Sequence, residues 1–377
     1  MLLGIDASRC VASYGTGVEA YSSAIIRHLL EKIQANPHGR FDRVHLYTPR
    51  ALPSDFLGGR FPFVEEHVIP FPRLWTHVRL STEMLSEPPD VLFIPGHVLP
   101  IIHPRKSVVT IHDVAFMPFP RAYGLFKRAY LKFSTWLAVR EAAALIVPSQ
   151  VVADDLVTYF SCPKEKIRVV HHGFDMPKEV PDNSSGYILE SFGLTKAMPY
   201  IFYVGRLEEK KNLTRLIEAF LEFHKTHPTW KLVLAGSRGL GFEKMFEVVE
   251  KHDAWNHVVM PGYITDQERT DLYKHCQFTA FVSLAEGFGF PILESMSYGK
   301  DVLMSDLPVM HEVAGTHFKG TFVDPLSVDA IAKGLSVLAE QSKSASQERA
   351  SVLKRIPEAY SWERAAEETL RALESVI

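Results

Sequence analysis

Two glutamates, Glu286 and Glu294, bracket the run EGFGFPILE. An ionised carboxylate accepts two or more hydrogen bonds, which suits it to the vicinal hydroxyls of a sugar or a ribose. Gly287 and Gly289 let backbone N–H groups approach an anionic ligand, and Pro291 suits the first turn of a following helix. Such a helix start favours a phosphate placed against it. A second run, Tyr203-Val-Gly-Arg-Leu-Glu-Glu-Lys-Lys-Asn212, puts Gly205, the guanidinium of Arg206 and the ammonium of Lys211 on one loop. Both cations can reach one diphosphate and neutralise the charge that grows on it as it leaves. Lys210 reads as their solvated neighbour. Two weaker signals lie in the first half. Ser13-Tyr-Gly-Thr-Gly-Val18 offers Gly15 and Gly17 as glycines beside a phosphate or sugar. Thr110-Ile-His-Asp113 ends an apolar run with His112, able to hydrogen-bond a sugar hydroxyl, and Asp113, able to fix its tautomer or contact an acceptor.

These residues need rigid elements behind them. Short apolar runs alternate with amphipathic stretches along the whole chain, the pattern of parallel sheets covered by helices. In the first half the spacing predicts strands at Leu2–Asp6, Val44–Tyr47, Val91–Ile94, Val108–Ile111, Leu145–Val147 and Ile167–Val170, with helices at Val18–Gln34, Leu125–Ala142 and Val151–Phe160. A Pro-, Asn- and Ser-rich stretch, PKEVPDNSSG, reads as a connector. A second series follows: strands at Tyr200–Val204, Lys231–Leu234, His257–Met260, Phe278–Phe281, Asp301–Met304 and Gly320–Val323, with helices at Leu213–Lys225, Asp266–His275 and Pro291–Tyr298. Two helical stretches close the chain, the last at Trp362–Val376. The expected class is α/β, with two doubly wound Rossmann-like domains facing a cleft: residues 1–178, a linker at 179–198, residues 199–360, and a terminal segment 361–377.

A length of 377 residues fits two domains of ordinary size. The formal net charge of -3, with a slightly basic N-terminal half, gives no basic stripe of the kind nucleic-acid binding needs. Cys10, Cys162 and Cys276 match no metal spacing or redox pair and read as free thiols. None of the 17 histidines forms an HExxH zinc motif, so no metal ligand is assigned. No stretch reaches the roughly 20 apolar residues of a membrane span, and the opening MLLGIDASRC turns polar too early for a signal peptide. A cytoplasmic protein is expected.

Taken in order, these motifs resemble glycosyltransferase family four, the retaining family with the GT-B fold. The resemblance runs through the GTG turn, TIHD, Val147-Pro-Ser149, Val170-His-His-Gly-Phe-Asp175, YVGRL with Lys211-Asn212, EGFGFPILE, Leu307–Gly315, Phe322-Val-Asp-Pro325 and Tyr360-Ser-Trp362. It implies that residues 1–178 bind the acceptor and residues 199–360 a nucleotide-sugar donor. It also implies that Arg206 and Lys211 bind the donor diphosphate, Glu294 the ribose hydroxyls and Glu286 the transferred sugar, with Gly205 and the Gly287–Phe290 backbone, including Phe288 and Gly289, beside it. His112 would lie near the sugar's 6-hydroxyl and reaction centre, and Gly17 near the phosphate. The helix at Trp362 would cross back to the N-terminal domain. The metal-binding triplet Asp-x-Asp of the other major glycosyltransferase fold occurs nowhere in the chain, so the expected enzyme is metal-independent and without a cofactor, the donor being a co-substrate. Where the family usually has Asn before Gly, this chain has His171-His172-Gly173.

TIHDVAFMPFP and EGFGFPILES are similar to bacterial mannosyltransferases of lipopolysaccharide and capsule assembly, which implies a GDP-sugar, GDP-mannose, ahead of a UDP-sugar, and a glycan or lipid-linked acceptor. The same scaffold serves phosphorylases, nucleotide-sugar epimerases and non-catalytic sugar-nucleotide-binding subunits. In the segment 121–140, RAYGLFKRAYLKFSTWLAVR, basic residues interleave with Phe126, Tyr130, Phe133 and Trp136. It reads either as a core-packed helix with a solvated basic face or as a peripheral contact with an anionic membrane.

Overall fold

Runs of β-branched and aromatic residues such as Val91–Ile94 and Tyr200–Val204, apolar at every position, cannot leave either face in water and must lie inside a sheet covered on both sides. The computed structural model, which describes residues 1–11, 17–57, 61–177, 185–315, 320–341 and 356–377, places them there. Residues Met1–Pro118, Leu125–Phe174 and Tyr360–Ile377 form one compact unit, and Phe119–Gly124 with Asp175–Ala359 form the other.

The first unit is built on a seven-stranded sheet. Its strands are β1 Leu2–Asp6, β2 Arg43–Thr48, β3 Val64–Val68, β4 Val91–Ile94, β5 Ser107–Thr110, β6 Ala144–Val147 and β7 Ile167–Val169, in the order β3-β2-β1-β4-β5-β6-β7. Every pairing is parallel. The order reverses between β1 and β4, and at such a switch point the chain leaves the carboxyl ends of neighbouring strands in opposite directions, opening a crevice. Strand β3, Val-Glu-Glu-His-Val, was not expected from the sequence. It is an edge strand with no apolar run, so hydrophobic patterning gave no sign of it.

The last helix, Trp362–Glu374, belongs to this unit and packs on the helix Gly17–Ala35. Ser361 caps it, accepting from Arg364 N–H at 3.3 Å. Trp362 lies against Tyr21 and stacks parallel to His28. A Cβ on Gly173 would come within 2.4 Å of the Trp362 ring and of its backbone nitrogen, so glycine is required there by close approach. Phe174 N–H donates to Tyr360 O at 2.8 Å. The His-Gly-Phe and Tyr-Ser-Trp motifs are thus two sides of one joint.

The helix Leu125–Glu141 buries only Ser134, Thr135, Ala138 and Val139. Leu125, Phe126, Tyr130, Phe133 and Trp136 are exposed, Phe126 at 94%. The core-packed reading of its aromatic residues therefore fails, because the small side chains turn inward and the large ones face out.

The second unit holds a six-stranded sheet. Its strands are β8 Tyr200–Val204, β9 Lys231–Ala235, β10 Val258–Gly262, β11 Phe278–Phe281, β12 Asp301–Ser305 and β13 Thr321–Val323, ordered β10-β9-β8-β11-β12-β13 and again parallel throughout. Its switch point falls between β8 and β11. Among the described residues no helix is long and apolar enough to cross a membrane.

Candidate functional site

The two strongest sequence motifs leave the carboxyl ends of β8 and β11, the two strands that flank the second unit's switch point. The loop after β8 runs through Gly205 and Arg206 to a single 3-10 turn, Glu209–Lys211. Asn212 ends that turn in the left-handed region at φ 60° and starts the helix Leu213–His224. Its buried amide donates to Val282 O at 3.0 Å and to Pro325 O at 2.6 Å. Leu284 N–H donates to Lys210 O at 2.8 Å, so the two loops are tied together by backbone and side chain.

That tie brings Lys211 and Glu286 together. Lys211 Nζ lies 2.6 Å from Glu286 Oε1, and the two side chains are only 15% and 13% exposed. Ser283 Oγ–H donates to the same carboxylate oxygen at 2.7 Å. Burial alone would raise the Glu286 carboxyl, but Lys211, Lys210 and the hydrogen bonds from Lys211 and Ser283 outweigh it and hold it below the ordinary value. Glu286 is therefore an anion at neutral pH. Lys210, read from sequence as solvated, is only 16% exposed and sits 3.8 Å from Glu208; its charge helps to keep Glu286 ionised. Arg206 is different: its side chain is 52% exposed and only loosely paired with Glu208, at 3.9 Å.

Gly289, at φ 107°, opens the helix Phe290–Ser297 with Pro291 in its first turn, the geometry the glycine and proline pattern implies. Phe288 is buried and meets Phe290 edge-on. One turn further, Glu294 accepts from Tyr273 O–H at 2.9 Å and has Arg269 at 4.0 Å. Burial raises the Glu294 carboxyl, and Arg269 and Tyr273 only partly offset this. Arg269 and Tyr273 were not anticipated. They stand four residues apart on the helix Asp266–His275, hence on one face, a spacing visible in the sequence only once that face has a partner. Thr265 and Glu268 form the capping box that starts this helix.

In the first unit His112 follows β5. Its Nε2 lies 2.8 Å from Pro95 O, and since a carbonyl only accepts, Nε2 carries the proton and Nδ1 is the acceptor. The tautomer is thus set by Pro95, not by Asp113, which instead accepts from Ala115 N–H at 3.2 Å. Burial holds the His112 imidazole below its usual range, against opposing effects of Pro95 and Asp113. His172, buried beside Tyr21 and His112, is lowered further by burial and then by His112. Both rings are neutral at pH 7. Gly17 is the first residue of the helix Gly17–Ala35, while Gly15 and the rest of the GTG turn before it lie outside the described residues.

The model described as "Glycosyltransferase Family 4" matches residues 17–177, and that described as "Glycosyl transferases group 1" matches residues 188–352. The chain belongs to glycosyltransferase family 4. It is 26% identical over 231 residues to the O-antigen chain mannosyltransferase B of Escherichia coli, covering 60% of this chain and 59% of that protein. To the serotype-specific mannosyltransferase WbdA of Escherichia coli it is 25% identical over 325 residues, 80% of this chain but 38% of that one. The matches thus span less than two thirds of the length of these relatives. Among solved structures, Anabaena Alr3699/HepE in complex with UDP-glucose superimposes with a TM-score of 0.72 at 17% identity, over 99% of each chain. The fold is GT-B.

Proposed function

We propose that this chain is a retaining, metal-independent glycosyltransferase that moves mannose from GDP-mannose to a glycan or lipid-linked acceptor in cell-surface polysaccharide assembly. The observation that carries this reading is the switch point of the second sheet, where a buried, ionised Glu286 is held by Lys211 beside a half-exposed Arg206. A nucleoside diphosphate sugar satisfies that set. Its diphosphate takes Arg206 and Lys211, its transferred sugar takes Glu286 with the Gly287–Gly289 backbone, and its ribose takes Glu294, which Tyr273 and Arg269 orient. The preference for mannose and GDP rests on likeness to the O-antigen mannosyltransferases.

In the reaction the bond from the sugar's anomeric carbon to the diphosphate oxygen breaks and the bond to the acceptor oxygen forms on the same face. The departing phosphate oxygen takes the acceptor's proton, so no protein nucleophile is needed. Lys211 and Arg206 stabilise the diphosphate charge as it grows. As Lys211 turns to phosphate, Glu286 is released to accept from sugar hydroxyls. By the family resemblance, His112, whose Nδ1 lone pair suits a sugar hydroxyl donor, is proposed to serve the transferred sugar, Gly17 a phosphate and Asp113 the acceptor. Resident cofactors are not required.

The exposed aromatic face of the helix Leu125–Glu141, interleaved with Lys127, Arg128 and Lys132, fits the anionic surface of the inner membrane, where a lipid-linked acceptor would be found. A thermal-shift screen over GDP, UDP, ADP and their sugars tests the donor: GDP-mannose is expected to raise the melting temperature most. No shift with any nucleotide would remove the assignment. Co-sedimentation with phosphatidylglycerol vesicles at low salt tests the membrane contact, and absence from the pellet would remove it.

A further inference from the structure

Edge strand β3 owes its invisibility in the sequence to three polar residues, and the structure gives each of them a partner on β2. Because side chains alternate along a strand, Glu66 faces one side, where its Oε1 accepts from Leu52 N–H at 2.7 Å. Glu65 and His67 face the other, and the parallel register sets His45 beside Glu65 and Tyr47 beside His67. His45 Nε2 lies 3.6 Å from Glu65 Oε2, and His67 Nε2 lies 3.5 Å from Glu65 Oε1. One donor atom from each of the three residues lies within 4.8 Å of the others. The two imidazoles stack at 4.1 Å, with the Tyr47 ring edge-on to both.

We propose that His45, Glu65 and His67 bind a divalent transition metal ion, zinc by the chemistry of the donors, and that the ion fastens the edge strand β3 to β2. Two imidazole nitrogens and one carboxylate oxygen are the donor set that zinc takes at sites where a fourth position is left to water. Zinc–nitrogen bonds of about 2.0–2.1 Å in a tetrahedron put donors about 3.3 Å apart, close to the two distances to Glu65, and the rest of the set closes by side-chain rotation of no more than about 1.5 Å. A second observation points the same way: Nε2 of His67 is shielded from solvent and makes no hydrogen bond. A shielded ring nitrogen that has only a distant carboxylate and no hydrogen bond is costly, and a metal ion would satisfy it. Glu65 is 71% exposed, so an ion can enter from its side and keep a water there. These residues lie on the edge strand β3 and its neighbour β2, off the β1–β4 switch point, so the part proposed for the ion is structural and the chemistry proposed above does not use it.

The test uses the full, tag-free chain, stripped with a chelator and titrated with zinc chloride against a chromophoric competitor. The wild type is expected to take up one equivalent more than His45→Gln/His67→Gln, and its melting temperature to rise by several degrees with zinc while that of the variant does not. Glu65→Gln, a substitution at an exposed position that leaves the packing alone, is expected to weaken binding about tenfold or more and keeps the test decisive if the double variant misfolds. Zinc-edge X-ray absorption of the loaded wild type should show two imidazoles in the first shell. Equal uptake by wild type and either variant, no uptake at micromolar zinc, or a first shell without imidazole would overturn the proposal.

Discussion

Replacing Lys211 with alanine should unfold the second unit more easily as well as slow the reaction, and the two effects can be separated. The ammonium is 2.6 Å from Glu286 Oε1, and both side chains are nearly buried. Removing one partner of a buried pair costs about 3–5 kcal/mol because the other charge is left uncompensated. Here Ser283 still donates to Glu286 and Lys210 still favours its ionised form, so the lower end, about 3 kcal/mol, is expected. In a unit of this size that is roughly 6–12 °C in melting temperature. Glu286→Gln added to Lys211→Ala removes the stranded charge and should recover most of the loss. The pH dependence follows from the lowered Glu286 carboxyl. A carboxyl depressed on folding adds stability above its unfolded pKa, near 4.5, and loses it as pH falls through the folded value. The difference between wild type and Lys211→Ala should therefore be full at neutral pH and shrink below 4.5. Differential scanning calorimetry of wild type, Lys211→Ala, Glu286→Gln and the double variant, at neutral and acid pH, measures it. Lys211→Ala within about 1 kcal/mol of wild type, or a double variant no more stable than Lys211→Ala, would refute the reasoning.

Arg206→Ala, at an exposed and weakly paired side chain, should leave the melting temperature nearly unchanged while lowering kcat/KM by about 10² to 10³ in a transfer assay. Glu294→Gln should be tolerated or slightly stabilising at neutral pH, since burial already raises that carboxyl and a raised carboxyl costs stability once pH exceeds its folded value. The same variant should weaken nucleotide binding about tenfold, read by titration calorimetry. Asn212→Ala leaves Val282 O and Pro325 O without their donor and puts alanine at φ 60°, so a loss of about 3 kcal/mol is expected in urea denaturation. Trp362→Ala, which empties the joint against Gly173 and Tyr21, should cost about 3–5 kcal/mol by the same measurement.

Much of this was legible in the sequence, for physical reasons. Central strands such as β4 and β11 are buried on both faces, so their apolar runs mark them at the right residues. Gly289 and Pro291 mark the helix Phe290–Ser297 because a left-handed cap and a first-turn proline have few other uses. What stayed hidden depends on partners distant in sequence. Lys210 looked solvated because nothing local shows that Leu284 binds its carbonyl and that Glu286 lies within reach of its charge. Arg269 and Tyr273 become meaningful only when their helix face meets Glu294. His112 was legible as a candidate, but its tautomer is decided by the carbonyl of Pro95 on another loop. The helix Leu125–Glu141 reads amphipathic either way, and only packing decides that Ser134 and Ala138, not Phe126 and Trp136, turn inward.

The most direct measurement is titration calorimetry of GDP-mannose and GDP into the purified chain, beside Arg206→Ala and Lys211→Ala. Saturable one-to-one binding by the wild type, weakened at least tenfold in both variants, is the expected result. Binding of equal strength in all three proteins, or no heat with any nucleoside diphosphate or its sugar, would show that the loops after β8 and β11 do not hold a donor.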